Sequence, residues 1–87
     1  MLKVNIAKSG SEPDTEFGPF MTGTEAWMRL VDLLEEYQDA AVVAGETEQV
    51  ESYQDGIDAA LDTDWTAGPG DVVVDVDGGM MFQVIPA

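Results

Sequence analysis

The chain has no cysteine and no histidine, and only three lysine or arginine side chains among its 87 residues. Without cysteine there is no disulfide and no thiolate metal site. Without histidine the commonest zinc ligand and the usual base of a catalytic triad are missing as well. Basic residues stop at Arg29, so the rest of the chain offers no side-chain cation to a phosphate. Long apolar runs are also lacking. The longest is Ala40 to Ala44, whereas a bilayer span takes about 20 apolar residues. Met1 to Lys8 alternates instead of forming the continuous apolar core of a signal peptide, so a soluble, cytoplasmic protein is expected. Neither an internal repeat nor a low-complexity segment is present.

What is abundant is acid. Eighteen Asp and Glu residues set a formal charge of -15. Such a balance argues against nucleic acid or an anionic membrane as a direct partner, because each phosphate would add repulsion, and it favours a basic protein. A hydrophobic content of 45% over 87 residues predicts one folded domain, residues 1–87, with a single small core.

Leu2, Val4 and Ile6 alternate with Lys3, Asn5 and Ala7, the period of a strand with one buried face. Lys3 is expected to pair with an acid on a neighbouring strand. Ser9 to Phe20 is rich in Gly, Pro, Ser and acids and reads as a connection, with Phe17 and Phe20 pinning it to the core edge. Thr22 and Glu25 have the spacing of a capping box, and the helix they open is expected to run to about Ala44, with Gly45 as the positive-φ stop. A second helix follows from Glu46 to Asp62, close enough to make the pair neighbours, and antiparallel. Gly56 inside it costs about 1 kcal/mol relative to Ala, for which close packing against the first helix is a reason. Trp65 is expected to cap the core. Asp71 to Asp77 alternates with Val72, Val74 and Val76 on one face, Gly78 and Gly79 supply a tight turn, and Met80 to Ile85 returns as the partner strand, with Pro86 ending the pairing. The expected fold is α+β, in the order β-α-α-β-β: a helical hairpin on one face of a three-stranded, mainly antiparallel sheet.

The helices carry the pattern that points outward. At about 100° per residue Asp32, Glu35, Glu36 and Asp39 share one arc, opposite Trp27, Leu30, Val31, Leu34, Tyr37 and Ala41. In the second helix Glu48, Glu51, Asp55, Asp58 and Asp62 step by three, four, three and four, opposite Val50, Tyr53, Ile57, Ala60 and Leu61. Like charges one turn apart are each worth a few tenths of a kcal/mol of destabilisation, so the four steps on the second helix cost on the order of 1 to 2 kcal/mol at low salt. Stability alone would place Lys among them. Carboxylates at this stepping lie about 5 Å apart along a helix, and two such lines side by side approach the duplex density of one charge per about 1.7 Å.

In size, charge and two-layer organisation, and in the acidic lines from Asp32 to Asp39 and from Glu48 to Asp62, the chain resembles the small acidic DNA-mimic inhibitors made by phages and mobile elements, anti-CRISPR proteins among them. The resemblance implies a host-defence nuclease or CRISPR effector as target, met in the host cytoplasm. The contact candidates come from helical geometry: the nine helix acids, with Asp71, Asp75 and Asp77 as a second cluster on a monomer or homodimer. Three other readings stand beside this one. A halophile-adapted, solvated surface would also be acidic throughout, and a general binding module would recognise a basic protein unrelated to nucleic acid. Divalent-ion binding at Asp71, Asp75, Asp77 and Gly78 fails the calcium-loop spacing, because Val73 stands two before Asp75. No metal or cofactor is therefore expected. Nor is catalysis, since paired carboxylates need a cleft and convex helix faces offer none.

Overall fold

The computed structural model describes residues 1–8, 15–76 and 78–87. Strand β1 (Leu2–Lys8) is followed by β2 (Thr15–Phe20), then by helices α1 (Gly23–Ala44) and α2 (Thr47–Leu61), a short 3-10 turn (Trp65–Ala67), and strands β3 (Gly70–Val74) and β4 (Met80–Pro86). The sheet is antiparallel and runs β2-β1-β4-β3, with both helices on one face.

The expected three-stranded sheet is therefore wrong by one strand. Thr15–Phe20, read from sequence as part of a connection, is an edge strand paired to β1, with Phe17 opposite Val4 and Phe20 opposite Leu2. The register slips by one residue between those pairs, where Gly18 and Pro19 form a bulge. Pro and Gly are tolerated at an edge or a bulge because no ladder hydrogen bond is demanded there. The punctuation that reads as loop is thus the mark of an edge. The Phe17 and Phe20 rings do pack against the core from this strand.

The last hairpin also differs in detail. Val74 pairs with Met80 and β3 ends there, so the connection runs from Asp75 to Gly79 where a two-residue turn at Gly78 and Gly79 is expected; Asp77, expected at the end of the strand, lies outside the described residues. Val76 leaves the strand but stays buried, and its carbonyl accepts from the Gly79 amide at 2.7 Å. Pro86 is the last residue of β4 and its last paired one, opposite Leu2.

Helix α1 starts and stops where its signals place it. The Thr22 hydroxyl accepts from the Glu25 amide, and Gly45 takes the left-handed conformation at φ 74°, its amide donating to the Val42 carbonyl. Trp27, Leu30 and Leu34 drop from α1 onto Val4, Ile6, Phe82 and Val84 to form a core with no solvent contact or almost none. The Trp27 indole N–H donates to the Gly68 carbonyl at 2.7 Å. Trp65 caps the end of α2 from its 3-10 turn, its indole N–H donating to the Ala60 carbonyl at 2.7 Å. Asp64 begins that turn by accepting from the Thr66 hydroxyl and amide, which holds its carboxyl below the ordinary value.

Gly56 is where α2 meets the sheet. A Cβ there would stand 2.9 Å from Val74 Cγ2 and 3.4 Å from Leu34 Cδ2, so the close approach is chiefly to β3 and secondarily to α1. Gly56→Ala should gain about 1 kcal/mol of helix propensity yet lose more through the clash, for a net loss of about 1 to 2 kcal/mol. Urea unfolding should show that loss, and adding Val74→Ala should make the alanine at residue 56 favourable relative to glycine in the same background.

Candidate partner-binding face

Of the twelve carboxylates singled out in the sequence, Asp77 lies outside the described residues. The other eleven are all exposed. Helix packing brings nine of them to one side. Because Trp27, Leu30 and Leu34 of α1 and Tyr53, Ile57 and Ala60 of α2 are buried toward the sheet, the arcs holding Asp32, Glu35, Glu36 and Asp39 and holding Glu48, Glu51, Asp55, Asp58 and Asp62 both point away from it. The helices are joined through Gly45 and Glu46 and pack side by side, so the two acidic lines run antiparallel over the same outer layer.

Of the second cluster, Asp71 is not part of that layer. Asp71 is paired in register with Gln83, and Gln83 with Asn5, on the face of the sheet that the helices leave open. There Asn5 donates to Gln83 at 2.9 Å and Gln83 donates to Asp71 at 3.3 Å, a polar ladder across β1, β4 and β3. Asp75 follows the end of β3, with its backbone carbonyl accepting from the Ser52 hydroxyl of α2. Asp71 therefore cannot extend the helical lines as one surface, whereas Asp75 adjoins α2 through Ser52.

Cations do little to offset the helical face. Arg29 is 3.9 Å from Glu36 and lies over the Phe17 ring at 5.2 Å, a shared position in which a half-exposed pair is worth at most about 1 kcal/mol. Lys3 pairs with Glu16 of β2 on the far side of the molecule, as its alternation predicts. Neither helix has a basic residue in its last turn. Among the described residues no group of three or more acids is arranged to hold a metal ion, and no helix is long and apolar enough to cross a membrane.

Two side chains that sequence reasoning passed over join the acidic lines. The Gln38 amide of α1 donates to the Val50 carbonyl at 3.2 Å and to Gln54 at 3.0 Å, and Gln54 donates in turn to Asp58 at 3.0 Å. The seam between the helices is thus neutral and hydrogen-bonded, and one carboxylate is held by it. The available signal was Gln38 falling in register with Leu34 and Ala41, a polar residue inside an apolar stripe. Met28, Val42, Val43 and Leu61 are also exposed on the helices; Leu61, expected in the buried stripe, is the last residue of α2, where Ala60 takes the buried position instead.

No protein-family model, curated protein or solved structure matches the chain. The face has to be read from its own chemistry. Four like-charged neighbours on each helix, at separations of three and four residues, together oppose folding by about 2 to 4 kcal/mol at low salt. Salt from about 0.01 to about 1 M shortens the screening length from about 30 to about 3 Å. The thermal midpoint of the folded chain should accordingly rise by about 5 to 15 °C across that range. The rise should shrink in a Glu51→Lys, Asp58→Lys variant, in which all four neighbouring pairs along α2 join opposite charges.

Proposed function

We propose that this protein is an acidic mimic of nucleic acid, an inhibitor that occupies the Lys- and Arg-lined DNA- or RNA-binding groove of a host-defence complex such as a CRISPR effector. The observation that carries the reading is the pair of antiparallel acidic lines on one outer layer. Five carboxylates over the 14-residue step from Glu48 to Asp62 give one charge per about 5 Å along α2, and the neighbouring line on α1 brings the layer to one per about 2.6 Å. That is within a factor of two of duplex DNA. The burial of the opposite stripes holds both lines to a rigid sheet, so little ordering entropy is lost when a partner docks.

A groove built to neutralise phosphates would exchange its condensed or bound anions for these carboxylates, competing with DNA or RNA for the same cations. Binding of this kind weakens steeply as salt rises. Glu51→Lys, Asp55→Lys, Asp58→Lys should abolish capture of the target from a host lysate while leaving the far-UV circular dichroism unchanged. Excess duplex added to the lysate should prevent capture by the native chain. Inhibition that persists in the triple variant would remove α2 from the contact.

One observation favours a second reading. Asp71 and Glu16 sit on the sheet side, away from the helical lines, as expected of a surface acidified for solvation in high salt or of a module for basic proteins in general. A chain that folds only in molar salt would establish the first of these. Capture of a basic partner that duplex does not displace would establish the second.

A further inference from the structure

Carboxylates alone would serve any cationic surface. What narrows the choice of occupant is the aliphatic material exposed beside them. Among the described residues seven large hydrophobic side chains stand exposed, and five of these, Met21, Met28, Val42, Val43 and Leu61, lie on the helices or at the entrance to α1, with exposures from 53% to 89%. Single aliphatics scattered over a surface need no explanation. These are not scattered.

Gln38 reaches Val50 and Gln54, which fixes how the antiparallel helices align: the start of α1 lies beside the end of α2. Met28 and Leu61 therefore stand at one end of the helical layer, and Val42 and Val43 at the other. Between them the seam is closed by the Gln38 and Gln54 amides and flanked by the acidic lines. Along its length the layer reads apolar, acidic, apolar. From Met28 to Val42 is 14 residues, or about 21 Å of helix. A groove offering cations alone would leave both apolar ends without a contact, which points to a target element that carries apolar side chains among its cations.

We propose that the occupant of this layer is a Lys- and Arg-rich amphipathic helix carrying an aliphatic side chain near each end, about 14 residues apart, seated along the seam between α1 and α2. Two packed helices present a groove that a third fills by ridges into grooves, its apolar residues as anchors. Its cations then fall to either side, toward Asp32, Glu35 and Asp39 on α1 and Glu51, Asp55 and Asp58 on α2. In a nucleic-acid-binding protein such a helix is the element that enters the major groove. The inference rests on the reading that the helical layer is the binding face, and it names what that face binds.

Two synthetic peptides test it with the full chain. One has leucines 14 residues apart, bracketing a helical segment of Lys, Arg and Ala. The other has the same charges with both leucines replaced by serine. Calorimetric titration at about 0.1 M salt should show the leucine peptide binding at least about tenfold more tightly, since half-exposed aliphatics are then buried at both ends. Met28→Ser with Leu61→Ser, and separately Val42→Thr with Val43→Ser, should each reduce that preference several-fold without changing the slope of log K against log salt. The triple lysine variant of α2 should reduce the slope. Equal binding of the two peptides, or a preference that survives both aliphatic variants, would overturn the proposal. If only the leucine effect is missing while the lysine variant still abolishes binding, the acidic-face reading stands without it. If the leucine preference is present but duplex never competes for the native target, the groove is established and nucleic-acid mimicry falls.

Discussion

Each helix has a single apolar stripe and the sheet has a single covered face, and these three surfaces can be buried only against one another. Trp27, Leu30 and Leu34 on one side and Ile6, Phe82 and Val84 on the other are removed from water almost completely, and fully burying one such aliphatic or aromatic side chain is worth about 1.5 to 3 kcal/mol. Even a few of them outweigh the 2 to 4 kcal/mol of repulsion between neighbouring helix acids. The repulsion therefore does not unfold the helices; it is confined to their outer layer, where the carboxylates are exposed to water. Gly56 sets how tightly this can happen, because its missing Cβ lets α2 settle against Val74.

That constraint produces an asymmetric molecule. The helical layer carries nine of the candidate carboxylates, offset nearby by little more than Arg29. The open face of the sheet is different in kind, with a Lys3–Glu16 pair at one side and the Asn5, Gln83 and Asp71 ladder crossing it. In the proposed reading, charge at such density would raise the local concentration of a cationic partner and speed its encounter, chiefly at the helical layer.

The helices were legible because their signals are local. Thr22, Glu25 and Gly45 act on amides and dihedral angles within a turn of themselves, and the stepping of Glu48 to Asp62 has meaning only at the helical period. Strand β2 was illegible for the opposite reason: Gly18 and Pro19 carry a local preference for irregular backbone, and only the pairing of Phe17 and Phe20 with Val4 and Leu2 makes them part of a sheet. The five-residue connection between β3 and β4 depends likewise on Val76 finding the core after it leaves the strand.

By itself the sequence determined that the chain would be α+β, that both helices would turn acid outward, and that Lys3 would find an acidic neighbour, since periodicity and charge are properties of residues close together. Tertiary structure decided the rest. It placed a fourth strand at the edge, separated Asp71 from the helical acids by the thickness of the molecule, brought Met28 level with Leu61, and linked Gln38 to Gln54 across the seam. Each of these joins residues far apart in the chain, and which distant residues meet is settled by what the core can bury, a quantity that no local pattern contains.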